Sequence, residues 1–154
     1  MDKTFDRYSS SYYLFNACKN GNETTVKFLL EHGADLTIKD KDNRIVLARA
    51  CESGNLHLVK YLVHRGANIY NENNYGGIHV LNACSSGNLD LVKYLVEHGL
   101  DINKENILGI TPIFNACGSG NLNLVKYLVE LGVDLHKEAK YFGTPLFNAC
   151  KMEI

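Results

Sequence analysis

Two kinds of apolar segment take turns along this chain from residue 12 to residue 150, and glycine or polar residues separate them. Between Ile78 and Asn103 the short kind is Val80-Leu81-Asn82-Ala83-Cys84, apolar or small and stopped at Gly87. The long kind opens at Asn88 and runs from Leu89 to His98 before Gly99. Within it Leu91, Tyr94 and Leu95 stand at i, i+3 and i+4, as do Val92, Leu95 and Val96. Two interlocked series of that spacing make one wide apolar face on an α-helix. Asn88 suits the N-cap of this helix, and Gly99 suits the left-handed residue that ends it. The unit is therefore expected to be turn, short helix, longer helix.

The pattern recurs with a step of 33 residues. Cys18, Cys51, Cys84, Cys117 and Cys150 lie on that step, each after an alanine; so do Gly21, Gly54, Gly87 and Gly120, each before an asparagine. Gly33, Gly66, Gly99 and Gly132 keep it too, as do Lys27, Lys60, Lys93 and Lys126. A fixed period of this length marks a tandem array whose units must stack, because one helix pair cannot bury its own apolar face. The chain of 154 residues is read as one domain, 1–154, with four full copies and the first helix of a fifth.

At Gly109-Ile110-Thr111-Pro112-Ile113-Phe114-Asn115-Ala116-Cys117 the array resembles the ankyrin repeat. The junction Gly120-Asn121-Leu122-Asn123-Leu124-Val125 and the ending Gly33-Ala34-Asp35 match that family's pattern as well. The resemblance implies an all-α solenoid of stacked helix-turn-helix units joined by β-turn or hairpin tips. It also implies protein binding through the tips and the adjoining first helices, which line a concave surface in that family. Departures are informative. The Thr-Pro start survives only at Thr111-Pro112 and Thr144-Pro145, so these starts are expected to be the best capped. Tyr12-Tyr13, Ile45-Val46 and Ile78-His79 stand there in the other copies. Phe15, Ala48, Leu81, Phe114 and Phe147 replace the family histidine, so those sites should rest on packing.

The ends differ from the middle. Glu23 and Thr25 take the places of Leu56/Leu58, Leu89/Leu91 and Leu122/Leu124, as an outward-facing first repeat requires. Phe147 begins a fifth copy and the sequence stops at Ile154, so the array is expected to be part of a longer one or to be covered by association.

Composition narrows the function. Sixteen Lys and Arg against seventeen Asp and Glu give a formal charge of −1, which argues against nucleic acid or an anionic membrane as partner. No apolar run reaches the roughly 18 residues of a membrane span, and MDKTFDRYSSSYY lacks the apolar centre of a secretory signal. The cytosol is the expected compartment. Equivalent cysteines on stacked helices should lie about 8–10 Å apart, too far for a disulfide or a shared metal. They are expected to fill small buried slots, with Cys150 the most reactive. Of the six histidines, His32 and His98 share the slot before the closing glycine, while His57, His64, His79 and His136 occupy different ones. No nucleophile, base and orienting group fall together, so no catalytic residue, cofactor or metal is assigned. Asn22-Glu23-Thr24 fits a glycosylation sequon and is read as a helix start. Lys27–Glu31, Lys93–Glu97 and Lys126–Glu130 are expected to be solvated i,i+4 pairs. The adjoining column Phe28, Tyr61, Tyr94 and Tyr127 is expected to pack between neighbouring second helices.

Variation is concentrated at the tips, while the core slots repeat almost letter for letter. The column Asp42, Tyr75, Leu108, Tyr141 carries apolar residues that no turn requires, and tyrosine favours interfaces. The candidate partner-binding residues are Asp42, Arg44, Asn74, Tyr75, Ile107, Leu108, Lys140 and Tyr141 on the tips, with Glu52 and Ser86 on the adjoining first helices. The expected function is a non-catalytic protein-interaction module, monomeric or self-associating through its C-terminal end. Its alternatives are a targeting segment of a larger enzyme or effector and a self-associating structural array.

Overall fold

A computed structural model describes residues 7–76 and 79–147, with side chains from Ser10 onward. Eight helices occur among the described residues: α1 (Arg7–Lys19), α2 (Glu23–Glu31), α3 (Val46–Ser53), α4 (Leu56–His64), α5 (His79–Ser86), α6 (Leu89–Glu97), α7 (Pro112–Ser119) and α8 (Leu122–Glu130). A further helical turn opens at residues 145–147. The first helices α1, α3, α5 and α7 pack on one another in chain order, and each also packs on its own second helix. The expected all-α solenoid of helix pairs is what forms.

The alternating segments explain the core. Leu58, Val59 and Leu62 of α4, and Leu91, Val92 and Leu95 of α6, are fully buried on the face that their spacing predicts. Burying one such side chain contributes about 1.5–3 kcal/mol, so stacking offsets the chain entropy that a single unit could not. Cys18, Cys51 and Cys84 are fully buried as well, each between apolar neighbours of the adjoining helices. Thr25 is exposed where Leu58, Leu91 and Leu124 are buried, as expected of the first repeat.

One residue per junction sets both a helix start and the register between repeats. The side-chain oxygens of Asn22, Asn55, Asn88 and Asn121 accept from the amides of Thr25, Leu58, Leu91 and Leu124 at 2.9–3.1 Å, capping α2, α4, α6 and α8. The amide nitrogens of Asn55, Asn88 and Asn121 then donate to the carbonyls of Gly21, Gly54 and Gly87 in the preceding repeat, at 3.0, 2.8 and 2.7 Å. Glycine is required at these junctions. Gly54 has φ +71°, and a Cβ there would come within 3.0 Å of the Ser86 hydroxyl. A second set of staples joins the first helices, Asn82 donating to Ala48 and Asn115 to Leu81.

Three local expectations need correction. Thr111 occupies the N-cap of α7, but its side chain makes no capping bond, so this start is no better capped than α3 behind Ile45. Thr111 is buried, and Pro112, with its preset φ, supplies the local preference instead. Thr144 does cap, accepting from the Phe147 amide at 3.2 Å. Second, Tyr12-Tyr13 lies inside α1, which begins at Arg7 and has 13 residues where α3, α5 and α7 have 8. Third, none of the three expected Lys–Glu pairs forms among the described residues. Lys27 pairs backwards with Glu23 at 3.4 Å, the order that suits the helix dipole. The expectations for Ile78 and Cys150 lie outside the described residues.

Candidate partner-binding surface

The tips stack through their backbones. The amide of Asn74 donates to the carbonyl of Asp42, Ile107 to Tyr75 and Lys140 to Leu108, each at 3.0 Å. Six of the ten sequence-chosen residues are therefore the rungs of one ladder. Within the first and third tips Asp40 and Asn106 close the turn, each side-chain oxygen accepting from two amides further on. The left-handed turn position is held by Asn43, Gly76 and Gly109 in the first three tips, and asparagine tolerates it. In the fourth, Phe142 stands in that register and the left-handed residue moves one place on, to Gly143.

With their backbones paired, the tip side chains point away from the ladder. Tyr75 is 51% exposed, Ile107 53% and Tyr141 81%, and Phe142 adds further open apolar surface. Leu108 is half-buried. Between the tips, Lys104 pairs with Glu72 and Lys137 with Glu105, so the ladder is flanked by fixed charge. Aromatic side chains held on a rigid ladder lose little entropy on contact, which is what a binding ridge needs.

The first tip is built differently. Asp42 accepts from the Arg44 guanidinium at 2.7 Å, and Arg44 also reaches Asp40 at 2.8 Å. Arg49 of α3 spans Glu52 at 2.8 Å and Asp40 at 3.5 Å. Asp42, Arg44 and Glu52 thus belong to one ion network with Asp40 and Arg49. Burial would raise the Asp40 carboxyl, but the Arg44 amide and guanidinium and the Asp42 amide outweigh it and hold the acid below its ordinary range. Beside this network lies a groove of about 560 Å³ between α1 and the first tip, floored by Tyr12, Phe15 and Ile38.

Sequence reasoning missed Arg49 and the α1 side of this groove. The signal was there: Arg49 interrupts a column that otherwise reads Asn16, Asn82, Asn115 and Asn148. Ser86, by contrast, is occupied by the scaffold. Its hydroxyl donates to the Ala83 carbonyl at 2.7 Å and accepts from the Asn88 amide at 3.3 Å.

The opposite face carries a second repeating contact. Lys27, Lys60 and Lys93 lie over the rings of Tyr61, Tyr94 and Tyr127 in the following repeat, at 5.3, 5.3 and 5.6 Å. A cation over an aromatic face is worth about 0.5–1 kcal/mol at an exposed site. The lysine column is thus a link between repeats as well as a polar face. His32 and His98 donate from Nδ1 to the carbonyls of Phe28 and Tyr94 at 2.7 Å, covering open helix ends as their slot predicts.

Reactive groups are held quiet by burial. It pushes the Cys18 and Cys84 thiols up to about 12 and raises Cys51 and Cys117 as well. His79 stands in the slot of Pro112 and is 2% exposed. Its Nε2 lies 3.3 Å from the Asn68 carbonyl, and its Nδ1 has no hydrogen-bond partner among the described residues. Burial lowers this imidazole to about 4 despite the Asn68 bond. Among the described residues no three His, Cys, Asp or Glu converge as metal ligands, and no helix is long and apolar enough to cross a membrane.

Comparison with known families agrees with the period and the helix pairs. A three-copy ankyrin-repeat model matches residues 4–73, and an ankyrin-repeat model of many copies matches residues 80–129. No curated protein matches the chain at a significant level. The chain belongs to the ankyrin-repeat family, whose members are generally protein–protein interaction modules and typically non-catalytic.

Proposed function

We propose that this array is a non-catalytic binding module that recognises one protein partner through its tip ridge and the adjoining first-helix face. The observation that carries the proposal is the row Tyr75, Ile107 and Tyr141, three exposed apolar side chains on consecutive, backbone-paired tips. Such a row serves no turn and no core, whereas tyrosines on a rigid support make strong contact residues. Asp42, Arg44, Asn74, Leu108, Lys140 and Glu52 frame the ridge. The first three sit on the first two tips, and Glu52 reaches the same face through Arg49. Nothing in this function needs a cofactor, and the cytosol is the proposed compartment.

The test compares partner capture by the native array with capture by Tyr75→Ala/Ile107→Ala/Tyr141→Ala. The triple variant should lose the captured species while keeping the native circular dichroism and melting curve. Capture that survives the triple change unaltered removes the ridge from the proposal.

Self-association has one observation in its favour. Leu122 is 63% exposed on α8 and Leu146 is 56% exposed beyond it, whereas Leu56 and Leu89 at the Leu122 position are partly covered. Sedimentation over a wide concentration range decides between the two readings, since a strict monomer removes the second.

A further inference from the structure

The groove between α1 and the first tip differs from the tip ridge in charge as well as shape. Among the described residues, Lys19, Lys39, Lys41, Arg44 and Arg49 line it with one carboxylate, Asp40, while Asp42 and Glu52 pair with the two arginines from outside the lining. This is a local excess of positive charge in a chain whose formal charge is −1. The two kinds of cation have different duties. Arg44 and Arg49 spend their guanidinium groups on Asp40, Asp42 and Glu52, so they act as rigid walls. Lys19, Lys39 and Lys41 are exposed and form no ion pair among the described residues. Between them the floor is apolar: Phe15 and Ile38 are half-buried against the core, and Tyr12 stands open beside them.

We infer that this groove seats an acidic linear segment of a protein partner. One aromatic or aliphatic side chain of that segment enters between Tyr12, Phe15 and Ile38, and carboxylates on either side of it meet Lys19, Lys39 and Lys41. The choice of occupant follows from the charges. Bidentate recognition of a phosphate group would use the arginine forks, and here intramolecular carboxylates already engage both, which leaves only the point charges of the lysines. Spaced carboxylates need only point charges at a rim, which is what three solvated lysines supply. The apolar floor supplies the anchor that charge alone does not, since rim pairs mainly steer and orient. This inference rests on the array being a protein-binding module, and it adds a second contact region with its own chemistry.

The experiment is selection of a displayed random-peptide library on the intact chain, followed by fluorescence anisotropy with the best synthetic peptide. Enriched peptides should carry net negative charge around one Phe, Tyr, Leu or Ile, and their affinity should fall as salt rises. Lys19→Glu/Lys39→Glu/Lys41→Glu should weaken the peptide roughly tenfold or more, as loss and reversal of charge complementarity does. Phe15→Leu, which preserves the core volume more nearly than alanine, should weaken it without altering the salt dependence. The tip variant Tyr75→Ala/Ile107→Ala/Tyr141→Ala should bind the peptide unchanged, which separates failure of the groove from failure of the ridge. Enrichment of neutral or basic peptides, or of none, overturns the inference. So does peptide binding that ignores the lysine reversals. Tighter binding of single-stranded oligodeoxythymidine or phosphatidylserine vesicles than of the best peptide overturns it as well.

Discussion

The side-chain amide of Asn88 donates to the carbonyl of Gly54, one repeat upstream, at 2.8 Å, while its oxygen caps α6 through the Leu91 amide at 2.9 Å. Asn22 makes the cap alone among the described residues. Asn88→Ala should therefore cost about 2 kcal/mol, one part for the cap and one for the lost link, against about 1 kcal/mol for Asn22→Ala. Urea denaturation followed by far-ultraviolet circular dichroism measures both. Equal losses would show that the link between repeats contributes nothing.

Arg49 stands where four other copies have asparagine, and the Asn82 and Asn115 side chains in that slot reach the carbonyls of Ala48 and Leu81. By the same register, Arg49→Asn should bond the Phe15 carbonyl and keep stability within about 0.5 kcal/mol. Arg49→Ala has no such replacement and should cost about 1 kcal/mol, the range for a partly exposed ion network. Arg44→Ala, by contrast, should let the Asp40 carboxyl titrate at higher pH than in the native chain, because the Arg44 guanidinium helps to hold it down. Carboxyl carbon shifts followed by nuclear magnetic resonance report this directly.

Acid should weaken the fold through His79. His79 is held neutral inside the fold, at about 4 against an ordinary 6.5, so the unfolded chain takes up the proton first. Its folded value is the lower one, so stability is whole above 6.5 and is lost as pH falls from 6.5 to 4. The full loss is about 3 kcal/mol at 1.36 kcal/mol per unit. His79→Leu should flatten the stability profile across that window. A native chain equally stable at pH 7 and pH 4.5 would mean that the imidazole finds a partner when charged.

Thiol labelling should follow unfolding. Cys51 and Cys84 are fully buried and raised in pKa, so a disulfide reagent at pH 8 should reach them only through opening of the fold. Cys117 is slightly exposed, at 7%, and should react ahead of them. Labelling of Cys51 or Cys84 as fast as a free thiol would contradict the packed junction.

The period made much of this fold legible. Residues such as Asn88, Leu91, Leu95 and Gly99 act within one unit, and a local rule covers each. What escaped the sequence lies between units. Lys60 meets Tyr94, and Asn88 meets Gly54, each across 34 residues, whereas identity recurs every 33. The register that exposes the repeat therefore hides the contact. His79 escaped for another reason: scattered histidines look alike until burial separates one of them. At the candidate site Tyr75, Ile107 and Tyr141 were visible as apolar residues at turns. The groove was not, because α1 supplies half of it and carries no clear apolar stripe.

A difference of one residue between the repeat length and the reach of the asparagine links has an effect on inheritance. Every link ties a junction to its immediate predecessor and to nothing further away. A gene coding for such a chain can gain or lose a whole unit at any seam, and the new neighbours re-form the bond. Loss of a single codon inside a unit shifts the donor away from its carbonyl and breaks that bond.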